Sequence, residues 1–358
     1  MATAVVLRRG LGAGGLNRRR AGSLARVLGS ALATLLGLLV LTFVIGRVLP
    51  TDPVIAVLGD DYDPAAYERV YRELGLDRPL AEQFAVYLRN VLSGDLGNAV
   101  LTGRPVLDDI ARVFPATIEL ATAAILIAVL LGVPLGVLAA VYRDRLIDHV
   151  TRVLTLLGFS APIFWLALMG LVIFYAKLGW VGGSGRQSVY NLDLVPNRTG
   201  LLLVDSLLAG DREVFKDAFA HLFLPASVLG YASMAYIARM TRSFMLEQLG
   251  QEYVLTARIK GSTFQGVIWR HAFKNIRVQL LTITALTYGG LVDGAVLVET
   301  VFAWPGFGQY LVSGLTIGDM NAVLGCTLLI GVLFIGLNLF CDLLYRVFDP
   351  RTRRAAAQ

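Results

Sequence analysis

The chain has 358 residues, of which 56% are hydrophobic and only 16% charged, and its formal net charge is +6. Because soluble globular domains carry roughly 25% charged residues, this composition excludes an ordinary soluble domain. The sequence has no Walker A pattern, G-x-x-x-x-G-K-[ST], so we expect no nucleotide site and no cofactor. Cys326 and Cys341 are the only cysteines. They share one apolar run, where two thiols form neither a disulfide nor a metal site, so we predict packing roles.

Six apolar runs are long enough to cross a bilayer, which takes about 20 residues of helix. These runs leave no water-facing side, so they cannot all be core helices of a soluble fold. The sequence therefore predicts an all-α membrane protein with six transmembrane helices. The runs cover residues 27–46, 116–142, 153–176, 218–238, 278–298 and 322–341.

The basic residues predict the orientation of these helices. Residues 1–23 form a basic tail ahead of a first transmembrane helix over 24–49. Suppose that this tail is cytoplasmic and that the helices alternate in direction. Most of the 32 Lys and Arg residues then lie on the cytoplasmic side, including those in and near a C-terminal tail over 349–358. The positive-inside rule then predicts both termini in the cytoplasm, N-in and C-in. A cleaved secretory signal is the competing interpretation. A long apolar run with no small-residue cleavage site favours a retained anchor.

Residues 50–115 are predicted to be exterior and to hold short amphipathic helices. Asp63 is expected to cap the first, with Pro64 at its first helical position and Gly75 beyond its end. A second is predicted from about Pro79 to Gly94. Their apolar stripes would cap the bundle or lie on the membrane surface.

The remaining residues, 116–348, are predicted to form a core of five transmembrane helices. The second exterior loop of this core contains Gly-Gly-Ser-Gly at residues 182–185, which matches the nucleophile motif of rhomboid intramembrane serine proteases. A serine nucleophile needs a histidine base within hydrogen-bond reach. His149 and His271 are predicted on the cytoplasmic side and His221 at the start of the fourth span. This placement argues against protease chemistry, and we predict no catalytic residue.

A basic hairpin over residues 247–279 lies between the fourth and fifth apolar runs. We predict a first short helix over 247–260, ended by Gly261, because a left-handed C-terminal residue is cheapest for glycine. Ser262 with Gln265 matches the S-x-x-Q capping box and predicts the start of a second helix.

That second helix is predicted over residues 263–275, with an apolar face of Phe264, Val267, Ile268 and Phe273. Lys and Arg dominate the hairpin and its flanks, against only Glu247 and Glu252. A basic amphipathic hairpin on anionic lipid is the competing interpretation.

The fifth span contains Asp293 and ends near Glu299. A carboxylate inside a span is costly and usually faces a wet pathway, so we predict that Asp293 and Glu299 line a translocation pathway. A buried structural carboxylate is the alternative for Asp293. Trp304, Pro305 and Gly306 follow as an exterior turn.

Several of these stretches resemble the membrane subunits of ABC importers, in the dipeptide, oligopeptide and nickel permease branch. The hairpin sequence "EYVLTARIKG…VIWRHAFKN" is similar to the branch's cytoplasmic loop, although only Ala257 and Gly261 match the general E-A-A-x-x-x-G motif. "LGLDRPL", "GDLG", "TGRPV" and "VETVFAWPGFGQYL" also resemble the branch, in its order. The resemblance covers residues 24–354.

The resemblance implies a type I ABC importer permease-like bundle in the bacterial inner membrane, which transports peptides or a similar small solute and is not itself an enzyme. The partners it implies are a second homologous permease, two ABC ATPase subunits and an extracytoplasmic solute-binding protein, with no nucleic acid. An ATP-independent secondary transporter is the alternative, but the sequence shows no internal inverted repeat. The residues implied to contact an ATPase are Tyr253, Ala257, Arg258, Lys260, Gly261, His271 and Asn275.

Overall fold

The computed structural model describes residues 13–48, 53–59, 63–73 and 75–348, and it describes the backbone alone for residues 13–28, 47–48, 53, 56–57 and 341–348. The predicted tail 349–358 and the side chain of Cys341 lie outside this description, whereas Cys326 is fully buried. Within it the regular secondary structure is helical, and one isolated bridge joins Asn98 and Pro105. The helices are α1 (Ala13–Val48), α2 (Pro53–Leu58), α3 (Pro64–Glu73), α4 (Leu80–Leu92), α5 (Val106–Val141), α6 (Leu146–Ser160), α7 (Ile163–Gly170), α8 (Leu202–Ala209), α9 (Arg212–Leu249), α10 (Glu252–Ile259), α11 (Lys274–Phe302), α12 (Phe307–Ile317) and α13 (Met320–Phe348).

Up to six elements among the described residues are long and apolar enough to cross a membrane, which agrees with the six apolar runs. Five are long apolar helices, namely α1, α5, α9, α13 and α11 together with the π-helical segment Gly266–Phe273 before it. The sixth is a bent pair: α6 is followed by α7, which continues as a π-helix over Leu171–Lys177, and the two halves meet at 101°.

Pro162 bends this third span, which the sequence predicts as one transmembrane helix. Proline has no backbone N–H and disfavours a helical residue before it. Ala161 accordingly has φ −82° and ψ 126°, and Pro162 caps the second helix.

Several helices are longer than their apolar runs. Helix α1 begins at Ala13, inside the predicted tail, and α5 begins at Val106, inside the predicted exterior segment. Helix α9 extends beyond its apolar run at both ends, from Arg212 to Leu249. Additional helical turns with polar residues therefore extend these helices beyond their apolar runs, and the loops between the helices are shorter than predicted.

Helices α5 and α9 form the most extensive contact among the described helices. Gly132 and Gly136 of α5 lie at this contact, where small residues let two helices approach closely. A methyl group on Gly136 would lie 2.5 Å from the Ala238 carbonyl oxygen, and one on Gly230 would lie 2.8 Å from the Ala124 carbonyl oxygen. The main apolar core surrounds this seam.

The exterior segment folds back onto the bundle. The Asp63 side chain accepts a hydrogen bond from the Ala65 N–H (3.3 Å), and α3 begins at Pro64, as predicted. On α4, Phe84 and Tyr87 pack against Phe43 of α1, with ring centroids 5.2 and 5.8 Å apart. This α4 face therefore caps the bundle.

Long-range polar contacts identify the two ends of the bundle. At one end Arg186 of the second exterior loop pairs with Glu119 near the start of α5. At the other end Arg242 of α9 pairs with Asp148 at the start of α6. The turn before α6 and the segment around α10 therefore lie at the same end, which the charge distribution predicts to be cytoplasmic.

Candidate functional site

The first arm of the hairpin begins later than predicted. Helix α9 continues to Leu249, with Gly250 as its C-terminal cap residue. Helix α10 starts at Glu252, rather than at residue 247 as predicted. The Tyr253 hydroxyl donates a hydrogen bond to the Gln248 side-chain oxygen (2.9 Å), which joins α10 to the end of α9. The hairpin is thus tied directly to a membrane helix.

The corner is at Gly261, as the sequence predicts, with φ at +84°. The Ser262 N–H donates to the Ala257 carbonyl (3.1 Å) and the Gly261 N–H to the Arg258 carbonyl (3.0 Å). These two bonds form a Schellman motif, which ends a helix at a left-handed glycine.

The predicted capping box at Ser262 and Gln265 was wrong. Thr263 is the cap, since its hydroxyl oxygen accepts from the Gly266 N–H (3.2 Å). Ser262 serves as the last residue of the Schellman motif, so the next helix cannot begin there. The Gln265 side-chain oxygen accepts instead from the Trp269 indole N–H (3.0 Å).

The second arm is not the separate helix predicted over 263–275. It passes through the π-helical segment Gly266–Phe273 directly into α11. No glycine or proline follows residue 266 until Gly289, so nothing ends the helix. His271 is half-buried and Asn275 is exposed on this arm.

The hairpin stands on an apolar base at the end of the bundle. Val254 and Ala257 of α10 are buried, which places Ala257 inside the hairpin and away from the outer surface where the sequence interpretation put it. The second arm inserts its own buried side chains between α5 and α9. This base cluster comprises Val137, Ala140, Met245, Ile268, Ala272, Ile276 and Leu280.

The outer face of the hairpin carries large apolar side chains that nothing in the described chain covers. Ile259 is 78% exposed, Leu255 60%, Phe264 55% and Trp269 48%. Phe264 is predicted on the apolar face of the second helix, and the exposure of the other three is not predicted. The sequence does contain a signal for this exposure. Leu255 and Ile259 form a second apolar stripe on α10, and so short a helix, of eight residues, cannot bury two apolar stripes.

The hairpin also carries exposed cations. Arg258 and Lys260 are exposed beside the corner, and Arg270 and Lys274 are exposed on the second arm. We call the four apolar side chains and these four cations the outer patch.

Asp293 lies on an exposed face of α11. It is exposed itself, and no described residue donates a hydrogen bond to it or pairs with it. Leu286, Gly290, Leu297 and Thr300 are also exposed, at alternating spacings of four and three that place them on the Asp293 side of the helix. Carboxylates within membrane spans usually face water or protein rather than lipid.

Glu299 differs from Asp293, because its side chain is fully buried. It accepts hydrogen bonds from the Thr117 hydroxyl (2.6 Å) and from the N–H groups of Gly308 (2.7 Å) and Gln309 (3.1 Å). These N–H groups belong to the first turn of α12. Glu299 therefore caps α12 and connects α11 with α5, away from any open surface.

The exterior turn is the buried link between α11 and α12. Trp304 is almost fully buried, and its indole N–H donates to the Ala116 carbonyl (3.0 Å). Pro305 is exposed, and Gly306 packs so closely on the Glu299 carboxylate that it leaves no room for a side chain. The Arg186 guanidinium lies 5.7 Å from the Trp304 ring centroid.

Asp205 fixes the neighbouring exterior loop. Burial raises the pKa of its carboxyl, but hydrogen bonds from the Thr199 hydroxyl and from the N–H groups of Arg198, Thr199 and Gly200 outweigh this effect and hold the pKa below its usual value. The contacts of Arg186 and the hydrogen bonds to Asp205 therefore fix this loop at two points.

Comparison with known proteins agrees with this architecture. The family model described as "Binding-protein-dependent transport system inner membrane component" matches residues 132–354. The model of its N-terminal part matches residues 23–121.

Similar relatives span nearly the whole chain. The probable D,D-dipeptide transport system permease protein DdpB of Escherichia coli (strain K12) is 42% identical over 90% of this chain and 94% of its own length. The di/tripeptide transport system permease protein DppB of Pseudomonas aeruginosa (strain UCBPP-PA14) is 41% identical over 92% of this chain and 98% of its own. The dipeptide transport system permease protein DppB of Escherichia coli (strain K12) is 41% identical over 92% of this chain and 97% of its own. The chain therefore belongs to the family of binding-protein-dependent transport system inner membrane components and is a permease subunit of an ABC importer.

Proposed function

We propose that this permease imports short peptides as one of two membrane subunits, driven by two ATPase subunits and supplied by an extracytoplasmic binding protein. The relatives are named as dipeptide and di/tripeptide transport systems, which favours short peptides as the solute. The sequence has no Walker A motif, so ATP hydrolysis belongs to separate subunits.

The outer patch of the hairpin carries this proposal. Exposed apolar side chains at one site favour a protein contact, and the exposed cations complement an acidic rim on a partner. The patch also stands on a buried base that joins α5, α9 and α11. Movement of a subunit docked there would be transmitted through this base to the membrane helices packed around it.

Asp293 and its neighbours on α11 form the second part of the proposal. We assign this face to the translocation pathway, shared with the second permease subunit. A carboxylate there attracts the ammonium group of a peptide. Glu299, being buried, has no part in the pathway.

Purification of the tagged chain from its native membrane tests the complex. A second permease and ATP-hydrolysing subunits should co-purify, and the reconstituted complex should take up a labelled dipeptide only with ATP and the binding protein. Uptake by the chain without ATPase subunits would instead make it a secondary transporter.

Substitution of Asp293 by Asn tests the pathway, because it keeps the shape and removes the charge. Uptake by the assembled complex should fall severalfold, whereas Asp108→Asn, at an exposed carboxylate near the start of α5, should leave uptake unchanged. Unchanged uptake in the Asp293 variant would contradict the pathway role, and a loss of assembly would assign Asp293 to a subunit contact.

A further inference from the structure

Asp148, at the start of α6, is fully buried and completely paired. Its two oxygens accept from Nε and Nη2 of Arg242 (2.7 and 2.9 Å), in a two-bond arrangement. The Arg152 guanidinium (3.0 Å) and the Asp144 N–H (3.0 Å) complete the set. Arg242 belongs to α9, so this carboxylate joins two membrane elements that are distant in the sequence.

The pair lies next to the base of the hairpin. Arg242 lies three residues before Met245 and on the same side of α9. Met245 is fully buried and belongs to the base cluster together with Ile268 and Ala272. Helix α9 then ends at Leu249, directly before α10. Any displacement of the hairpin therefore reaches Arg242 through a short stretch of continuous, packed helix.

Beyond Asp148, α6 makes further contacts with α9. The Tyr231 hydroxyl donates to the Leu154 carbonyl (2.8 Å), and the Arg239 guanidinium lies 4.4 Å from the Phe159 ring centroid. Much of the remaining α6 surface is exposed apolar side chain. Helix α6 leads through the bend at Pro162 into α7, so whatever positions α6 also positions that bend.

Stability alone does not explain a buried ion pair, because well-packed apolar residues often replace one at no loss. What a two-bond arginine–carboxylate pair adds is a fixed relative orientation of the two groups. Here it fixes the start of α6 on the part of α9 that carries the hairpin.

We propose that Asp148 and Arg242 are positioning residues for energy coupling. They make α6, and with it the bend into α7, move together with the end of α9 when a docked ATPase subunit displaces the hairpin. This inference rests on the proposed docking at the outer patch. Without the pair, the hairpin would still be displaced but α6 would follow incompletely.

The test measures ATP hydrolysed per peptide imported, for each assembled complex in proteoliposomes. Asp148→Asn and the uncharged double variant Asp148→Leu/Arg242→Met should assemble and hydrolyse ATP, yet raise this ratio about tenfold. Arg242→Lys, which keeps the charge and loses the two-bond geometry, should lie between them and the unmodified complex. Arg152→Gln is the matched control, since it removes a half-exposed partner of the same carboxylate and leaves the link to α9 intact.

A merely structural role would reduce the number of complexes and leave the ratio unchanged. An unchanged ratio in the double variant would therefore overturn the proposal. Loss of assembly in every variant, Arg242→Lys included, would assign the pair to folding and overturn it as well. Failure of ATPase subunits to bind even the unmodified chain would instead refute the docking proposal, so the two failures are distinguishable.

Discussion

Gly136 gives the sharpest test of how the bundle is packed. A methyl group there would lie 2.5 Å from the Ala238 carbonyl oxygen and 2.6 Å from the Thr241 Cβ. Carbon atoms pack best at about 3.5–4.0 Å, so each contact is too short by about 1 Å. The Ala238 carbonyl belongs to the backbone of α9, so the helix itself must shift to make room for the methyl group. Overpacking of this kind typically costs about 1–3 kcal/mol, and we expect Gly136→Ala to lie toward the upper end.

The measurement is the SDS-denaturation equilibrium of the solubilised chain, with Gly290→Ala as the control. Gly290 lies within α11 and an added methyl group there meets nothing within 4 Å. In a helix interior alanine is favoured over glycine by about 0.8–1 kcal/mol, so the control should be neutral or slightly stabilised. Equal stability of the two variants would refute the close approach of α5 and α9.

Three further outcomes follow from the structure. Glu299→Ala should lower stability by more than about 2 kcal/mol, because each buried donor left without an acceptor costs about 1–3 kcal/mol; a thermal midpoint equal to the parent's would contradict the cap on α12. Gly308→Ala should destabilise the same junction, since its methyl group would lie 2.6 Å from the Val296 Cα. In a cysteine-free background, a cysteine at Asp95 should react with an impermeant thiol reagent in intact cells. A cysteine at Gln248 should react only after permeabilisation, and labelling there from outside would reverse the predicted orientation.

The sequence predicted the membrane helices well, because apolar length is a strong local signal and bilayer thickness fixes what it means. It also placed the corner at Gly261, since a left-handed residue after a helix strongly favours glycine. The bend at Pro162 was not predicted, because the apolar residues on both sides of the proline were read as one continuous transmembrane helix. The cap at Thr263 was missed because Ser262 and Thr263 are both competent caps, and only the hydrogen bonds of the preceding helix decide between them.

Long-range pairs were beyond the sequence analysis. Asp148 and Arg242 are 94 positions apart, and Thr117 and Glu299 are 182 apart, so no local pattern connects them. Glu299 and Asp293 appeared equivalent as carboxylates of one span. Their difference depends on which side of α11 faces α5 and α12, which only the packed structure shows.

Docking of an ATPase subunit at the hairpin is the central claim, and recovery of ATPase with a Gly261→Asp variant tests it most directly. Gly261 has φ +84° with nothing within 4 Å of an added Cβ, and Gly210 at the opposite end of the bundle has φ +73° and equally open surroundings. Both Asp substitutions therefore carry the same backbone penalty, of about 1–2 kcal/mol. Pull-down from mild detergent should recover the second permease with both variants and the ATPase subunits only with Gly210→Asp. Normal ATPase recovery with Gly261→Asp would contradict the account and favour a hairpin that lies on lipid.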